Sequence, residues 1–150
     1  MIVRPSREAD IDRVVEMGRE MHGESAYAFL PYDAEKVRAL AARIIEHPES
    51  YCGLVVEDGQ RVVGILGGYL TDYFFCDEKL ACDLVVFVEP EYRGSPAAGR
   101  LIHGFCEWAR QRGAREVCLG LSTQFKTEHV DRFYRALGFT PVGGLYKLRL

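Results

Sequence analysis

One stretch constrains this chain more than any other. Residues 84–88, Leu-Val-Val-Phe-Val, are an unbroken apolar, β-branched run, the composition of a buried central strand. Glu89-Pro90 turns the chain, Arg93-Gly94-Ser95 follows as a loop, and Ala98, Leu101, Ile102, Phe105 and Ala109 then recur at helical spacing. A small-residue loop feeding a helix N-terminus presents free backbone N–H groups and the positive end of a dipole. That is a site for phosphate.

The rest of the chain reads in order around this unit. Ile2-Val3-Arg4 predicts a short first strand. Ser6 is the expected N-cap, with Glu8 and Asp10 in the first turn, of a helix through about residue 21. Residues 22–32 read as a loop rich in aromatics. Asp33 then caps a second helix whose Val37, Leu40, Ala41, Ile44 and Ile45 make one stripe, ended by His47-Pro48. Residues 51–57 and 61–73 read as strands joined by an Asp58-Gly59 turn, and Gly64, Gly67 and Gly68 predict a bulge or a close backbone approach in the second. A loop at 74–79 precedes the central run. After the helix, which ends near Arg112-Gly113, come a strand at 116–121 and a helix with Val130, Phe133, Tyr134 and Leu137 on one face. Gly138 is its expected C-cap. Two short strands, 140–142 and 145–150, are expected to close the chain.

Composition bounds the function. At 150 residues, 48% hydrophobic and 27% charged, residues 1–150 suit one globular domain. A net charge of −3 gives no electrostatic case for a nucleic-acid partner. No run has the length of a membrane span, and the first residues lack the shape of a signal peptide, so no membrane partner is expected. Five scattered cysteines and four widely spaced histidines argue against a metal site or a disulfide framework. Reduced, buried thiols point to the cytoplasm.

The residues at the end of the central run resemble the signature of the GCN5-related N-acetyltransferases (GNAT), in which Val-x-Pro is followed by Arg/Gln-x-x-Gly-x-Gly/Ala. Val88, Pro90, Arg93, Gly94, Ala98 and Leu101 match it, whereas Pro96 stands where the motif has its first loop glycine. Through Arg-Gly-Ser-Pro-Ala-Ala the likeness is to uncharacterised bacterial and phage-encoded members. The element order β-α-α-β-β-β-α-β-α-β-β is also that of the family, so the resemblance spans the chain. It implies an α/β protein with a splayed, mixed central sheet. It also implies acetyl-coenzyme A as cosubstrate and transfer of its acetyl group to a primary amine of a small molecule or protein.

The resemblance assigns roles by position. The backbone of Val86, Phe87 and Val88 would receive the pantetheine arm and polarise the thioester carbonyl. Arg93, Gly94, Ser95, Pro96, Ala97, Ala98, Gly99 and Arg100 would hold the pyrophosphate; Pro96 lacks an N–H but suits the first turn of a helix. Phe133-Tyr134-Arg135-Ala136-Leu137-Gly138-Phe139 is similar to the family's Tyr-x-x-Leu-Gly-Phe segment, whose tyrosine protonates the departing thiolate, which makes Tyr134 the candidate acid. Seven residues earlier, Thr127 stands where many relatives carry a cofactor-contacting asparagine.

An alkyl amine with a pKa near 10 is mostly protonated at pH 7, so a base must take its proton. Ser122 occupies the fifth-strand position where some relatives have an acid. Asp83 is therefore the candidate base, near the expected start of the fourth strand, with Glu24 and Asp72 as alternatives. Glu24, Tyr27, Phe29, Tyr32, Tyr73 and Phe74 populate the loops expected to bind the acceptor, where aromatics beside carboxylates suit a cationic amine. Dimerisation is common in the family, so a homodimer is an open expectation. The rival reading is a degenerate member that binds coenzyme A or a protein partner without catalysis, favoured by Pro96, Thr127 and Ser122. A dinucleotide-type phosphate loop is weaker, because Gly-x-Gly-x-x-Gly is absent.

Overall fold

The structure, a computed structural model, describes residues 1–121 and 127–150. Its centre is a five-stranded sheet of β1 (Ile2–Pro5), β2 (Tyr51–Asp58), β3 (Arg61–Asp72), β4 (Lys79–Val88) and β5 (Ala114–Cys118), adjacent in that order. The first four strands pair antiparallel, β2 with β3 and β3 with β4 through short connections, and β1 with β2 across two intervening helices. β4 and β5 run parallel, because a helix crosses between them.

Among the described residues four helices flank the sheet: α1 (Ile11–Glu24), α2 (Ala34–Glu46), α3 (Ala97–Gln111) and α4 (Thr127–Ala136). The stripe of α3 supplies one core layer. Leu101, Ile102, Phe105 and Ala109 are buried with Val56, Val63, Leu66 and Ala81 of the sheet. The strand residues of opposite parity, Val55, Val62, Ile65 and Phe87, bury Met17 of α1 on the other face. Both faces are thus covered at the end of β4, where Phe87 and Val88 are buried, whereas Val85 and Val86 are half-buried and Leu84 is exposed. No helix among the described residues is long and apolar enough to cross a membrane.

Local chemistry fixes several element ends as expected. Asp33 Oδ1 accepts the N–H groups of Glu35 and Lys36 at 3.0 and 3.1 Å and starts α2. Gly138 (φ +93°) ends α4 in a paired motif, with Gly138 N–H donating to Arg135 O and Phe139 N–H to Tyr134 O, both at 3.0 Å. The N-terminal helix corrects the expectation. Ser6 does not cap it: its N–H joins the sheet edge at Gly53 O, 2.9 Å away. Instead a 3-10 turn over Glu8–Asp10 precedes α1, and the Asp10 carboxylate accepts the N–H of Arg7 at 2.7 Å and both terminal nitrogens of Arg4. The Arg4 guanidinium holds the Asp10 carboxyl below its ordinary range. α1 also runs three residues beyond Met21, to Glu24.

Two further corrections bear on function. β4 starts at Lys79, not at Leu84, because Lys79–Cys82 already has both neighbouring strands to pair with. Asp83 therefore lies in mid-strand. The two closing strands do not form either: residues 140–150 pair with nothing in the sheet, and Val142, Leu145, Tyr146, Leu148 and Leu150 stand exposed.

Candidate active site

The site is built by a fault in the sheet. Between Gly67/Gly68 and Asp83/Val85 the register shifts, leaving Leu84 as an extra residue on β4. A bulge of this kind bends its strand and raises the local twist. The expected glycine-linked irregularity is present twice: beside Gly64 the extra residue, Val63, belongs to β3, and opposite Gly67/Gly68 the extra residue, Leu84, belongs to β4. Gly68 permits it: a Cβ there would lie 2.5 Å from Phe105 Cε2 and 3.0 Å from Cys82 O. Beyond the bulge β4 parts from β5, whose last paired rung is Cys82 opposite Cys118.

The parting leaves a gap edged by backbone. Glu89 N–H donates to Val63 O of β3, so alternation turns the main-chain groups of Phe87 toward β3 and those of Val86 and Val88 toward the gap. Of the three residues expected to offer backbone to a thioester, two face the opening and Phe87 does not. Val88 O already accepts Arg93 Nε at 3.0 Å, while the N–H groups of Val86 and Val88 remain directed at the gap.

Asp83 stands where the strands separate. Its Oδ1 accepts the N–H of Gly120 at 2.8 Å, tying the chain just after β5 to β4 across the mouth of the gap. Burial pushes its carboxyl above the ordinary range, against the lowering effect of that N–H. Tyr134, on α4, is half-buried and packs against Phe133 and Phe139 with ring centroids 5.9 and 6.0 Å away. Its hydroxyl is pushed up to about 12, first by burial and then by the negative charge of Asp83. Two residues 51 positions apart thus feel each other at the neck of the gap.

The β4–α3 loop has the shape expected of a phosphate cradle. Gly94 adopts φ +89°, and neither Gly94 nor Gly99 has an atom within 4 Å of the position a Cβ would take. Pro96, at φ −67°, sits at the helix start without strain, and Ser95 Oγ accepts the N–H of Ala97 at 3.3 Å. The N–H groups of Gly94, Ala98 and Gly99 meet no acceptor among the described residues. A pyrophosphate fits such a cradle through backbone donors and the helix dipole. The two arginines are otherwise engaged. Arg93 bonds Glu24 Oε2 at 2.7 Å besides Val88 O, and Arg100 bonds Met1 O.

The other expected site residues scatter. Thr127 opens α4, exposed, in a shallow depression with Leu121, Glu128, Asp131 and Arg132. Ser122 lies outside the described residues. Asp72 pairs with Lys79 at 2.9 Å across the β3–β4 turn, which holds it apart from the gap. Tyr73 donates to Glu116 Oε2 at 2.5 Å, a bond that pushes its hydroxyl up to about 12. Tyr32 is a packing residue: its hydroxyl donates to Val15 O at 2.8 Å and its ring fills the space left by Gly18. Phe74 projects into solvent. Tyr27 and Phe29 present their rings outward and carry Lys147 and Arg149.

The sequence reading missed the Leu84 bulge, the Gly120 amide and the Glu24–Arg93 pair. The last two join residues 37 and 69 positions apart, and no local pattern announces them.

A family model described as the acetyltransferase (GNAT) family matches residues 16–139. No curated protein matches the chain in sequence. Among solved structures, an acetyltransferase from Trypanosoma brucei is 23% identical, each chain covering 99% of the other, with a TM-score of 0.75. A glucosamine-6-phosphate N-acetyltransferase from Arabidopsis thaliana is 14% identical over 99% of this chain and 97% of that one, with a TM-score of 0.78. The aminoglycoside N-acetyltransferase AAC(6')-Iy, solved with coenzyme A, is 15% identical over 99% and 98%, with a TM-score of 0.76.

Proposed function

Because the chain belongs to the acetyltransferase (GNAT) family, we propose that it transfers the acetyl group of acetyl-coenzyme A directly to an acceptor's primary amine, with Asp83 as base and Tyr134 as acid. The observation that carries this reading is the parting of β4 from β5 just beyond Asp83, which leaves the N–H groups of Val86 and Val88 directed at the gap.

The chemistry follows from their environments. An ammonium acceptor first gives one proton to the Asp83 carboxylate, whose raised pKa makes it a better base than an exposed carboxylate. The neutral nitrogen attacks the thioester carbonyl carbon, forming the C–N bond, and the carbonyl electron pair moves to oxygen. A strand N–H, from Val86 or Val88, is the available donor for that oxyanion. Collapse breaks the C–S bond, and the departing thiolate takes the phenolic proton of Tyr134. A hydroxyl near 12 gives its proton uphill to a thiolate of ordinary pKa about 8.5. The second nitrogen proton then returns to the phenolate and completes the exchange.

The two groups reinforce each other. Protonating Asp83 removes its negative charge, one of the causes that hold Tyr134 up, so taking the amine's proton makes Tyr134 a stronger acid for the next step. No cysteine is needed as a carrier. Burial raises the Cys118 and Cys106 thiols, the reverse of an activated nucleophile.

The test combines binding with turnover. Acetyl-coenzyme A at about 100 times its Kd should stabilise the protein by about 2.7 kcal/mol, a rise in Tm of roughly 5–11 °C at this chain length. Tyr134→Phe should keep that shift and lose about 10²- to 10⁴-fold in release of coenzyme A thiol with an amine panel. Full turnover by the variant would retire Tyr134 as the acid. A shift in the natural protein with no turnover on any amine would leave a cofactor-binding module in place of an enzyme.

A further inference from the structure

Two of the scattered cysteines meet in the sheet. Cys82 of β4 and Cys118 of β5 are direct partners on a parallel rung. Residues directly opposite one another in a sheet point to the same face. Strand alternation fixes that face. Ala81 and Val117, one residue earlier on each strand, pack into the layer under α3, so both thiols stand on the other side of the sheet. The charges agree: the Tyr69 hydroxyl, opposite Cys82 on β3, is pushed up first by Cys82, and the Cys118 thiol is pushed up by burial and then by Cys82. The other cysteines are placed elsewhere. Cys52 is buried under α3, Cys106 lies on α3, and Cys76 is exposed in the β3–β4 loop.

The rung sits where the sheet is least secured. Among the described residues β5 is an edge strand with β4 as its one neighbour, and Cys82 opposite Cys118 is the last rung before the two part. Beyond it the Asp83 carboxylate and the Gly120 N–H tie the two segments across the neck. The terminal rung of a short edge strand is among the first to open. Neighbouring strands lie about 4.8 Å apart, and a disulfide spans Cα separations of about 4.4–6.8 Å. Both thiols are half-buried, which leaves them within reach of a small oxidant.

We propose that Cys82 and Cys118 are a site of reversible oxidative cross-linking, a covalent staple across the neck of the gap, with hydrogen peroxide as the oxidant. The proposal goes beyond the acetyltransferase reading and stands without it. One thiolate attacks a peroxide oxygen: an S–O bond forms, the O–O bond breaks, and the hydroxide that leaves takes up the proton the thiol gave. The second sulfur then displaces the sulfenic hydroxyl. The S–S bond forms, the S–O bond breaks, and a second water carries off the second thiol proton. Two thiols and one peroxide become one disulfide and two waters, each sulfur losing one electron. Because the second thiol is already alongside, the sulfenic acid is captured before another peroxide oxidises it further. Burial keeps Cys118 protonated, which makes the reaction slow and spares the pair where oxidant is scarce.

The test treats the full chain with hydrogen peroxide and reads intact mass, peptide maps and stability. The mass should fall by two hydrogens, the map should join the peptides of Cys82 and Cys118, and dithiothreitol should reverse both. The cross-linked protein should melt about 5–10 °C higher, since the bond closes a long loop of the unfolded chain. Its amides at 116–118 should exchange more slowly than in the reduced protein. Cys82→Ser and Cys118→Ser should each take up oxygen on the remaining thiol and lose the rise in Tm. Oxygen added to either thiol of the natural protein without a bond between them, a bond from Cys76 to either, two thiols that stay unreacted, or a cross-linked form that melts no higher would each overturn the staple. Should a serine variant fail to fold, the map of the natural protein decides alone. None of these measurements uses turnover, so the failure of the staple and the failure of the transferase reading are told apart.

Discussion

Gly68→Ala is the substitution that most directly tests how the sheet makes the gap. The added Cβ would lie 2.5 and 2.7 Å from Cε2 and Cζ of Phe105 and 3.0 Å from Cys82 O. None of these can retreat freely. Phe105 is fully buried and stacked on Trp108 with centroids 5.7 Å apart, and Cys82 O belongs to the neighbouring strand. Overpacking of this kind costs about 1–3 kcal/mol, offset by roughly 0.5–1 kcal/mol from replacing a strand glycine. The net loss is about 1–2 kcal/mol, or roughly 2–8 °C in Tm. Urea unfolding gives the free energy, and an unchanged m-value would show that the unfolded reference is the same. Phe105→Leu in the same background removes the ring edge, so the two losses should be less than additive by at least about 0.5 kcal/mol. Because Gly68 pairs with Asp83, turnover should also fall in the single variant. A neutral Gly68→Ala, or a strictly additive cycle, would refute the claim that this glycine makes room for the bulge.

Two further expectations concern the site. Burial holds the Asp83 carboxyl above its unfolded value, so its ionisation destabilises the fold as pH rises through the raised pKa, and the penalty is absent below about pH 3.9. Asp83→Asn, whose amide oxygen can still accept the Gly120 N–H, should then melt no lower than the natural protein at pH 8. It should also lose the acid limb of the kcat/KM profile with most of the turnover. A lower Tm at pH 8 would show that the ionised carboxylate stabilises the neck. Gly94→Ala places a Cβ on a backbone at φ +89° and should cost about 1–2 kcal/mol, weakening acetyl-coenzyme A in a thermal-shift titration. Unchanged stability and affinity would mean that the loop leaves the left-handed region at no cost.

What could be read from the chain beforehand was mostly local. The Asp33 cap, the Gly138 terminator, the stripe of α3 and the hairpin at Asp58-Gly59 each depend on a few neighbouring residues, and all formed. The start of β4 was misplaced because Lys79–Cys82 becomes strand through its partners, Tyr69–Asp72 and β5, and not through its own composition. Ser6 lost the capping role for a related reason: the sheet takes its N–H, and the Asp10 carboxylate, held by Arg4, accepts the N–H of Arg7. At the site, Asp83 and Tyr134 were named from the sequence, but the bond of Asp83 to Gly120 and the bulge beside it belong to tertiary structure. Arg93 was read as a ligand for phosphate from the matched motif, and its bond to Glu24, 69 residues away, has no local signal. The expected closing strands, 140–142 and 145–150, find no partner in the sheet, and a short run of strand-forming residues does not make a strand without one.

The parting of β4 from β5 has a consequence for isotope exchange. In most sheets the middle strand surrenders its amide protons last, since every donor there is engaged and the elements on both sides must open first. Here β4 is a middle strand whose far half has one neighbour. Val86 and Val88 direct their N–H groups at the gap, where among the described residues no strand accepts them. Deuterium therefore enters the centre of the molecule early, two residues at a time, while Val85 and Phe87 beside them, bonded to β3, stay protonated. A pantetheine arm bound in the gap, as the proposed function requires, would take the place of the missing strand, and the exchange clock of those two amides would then measure how much of the protein holds its cosubstrate.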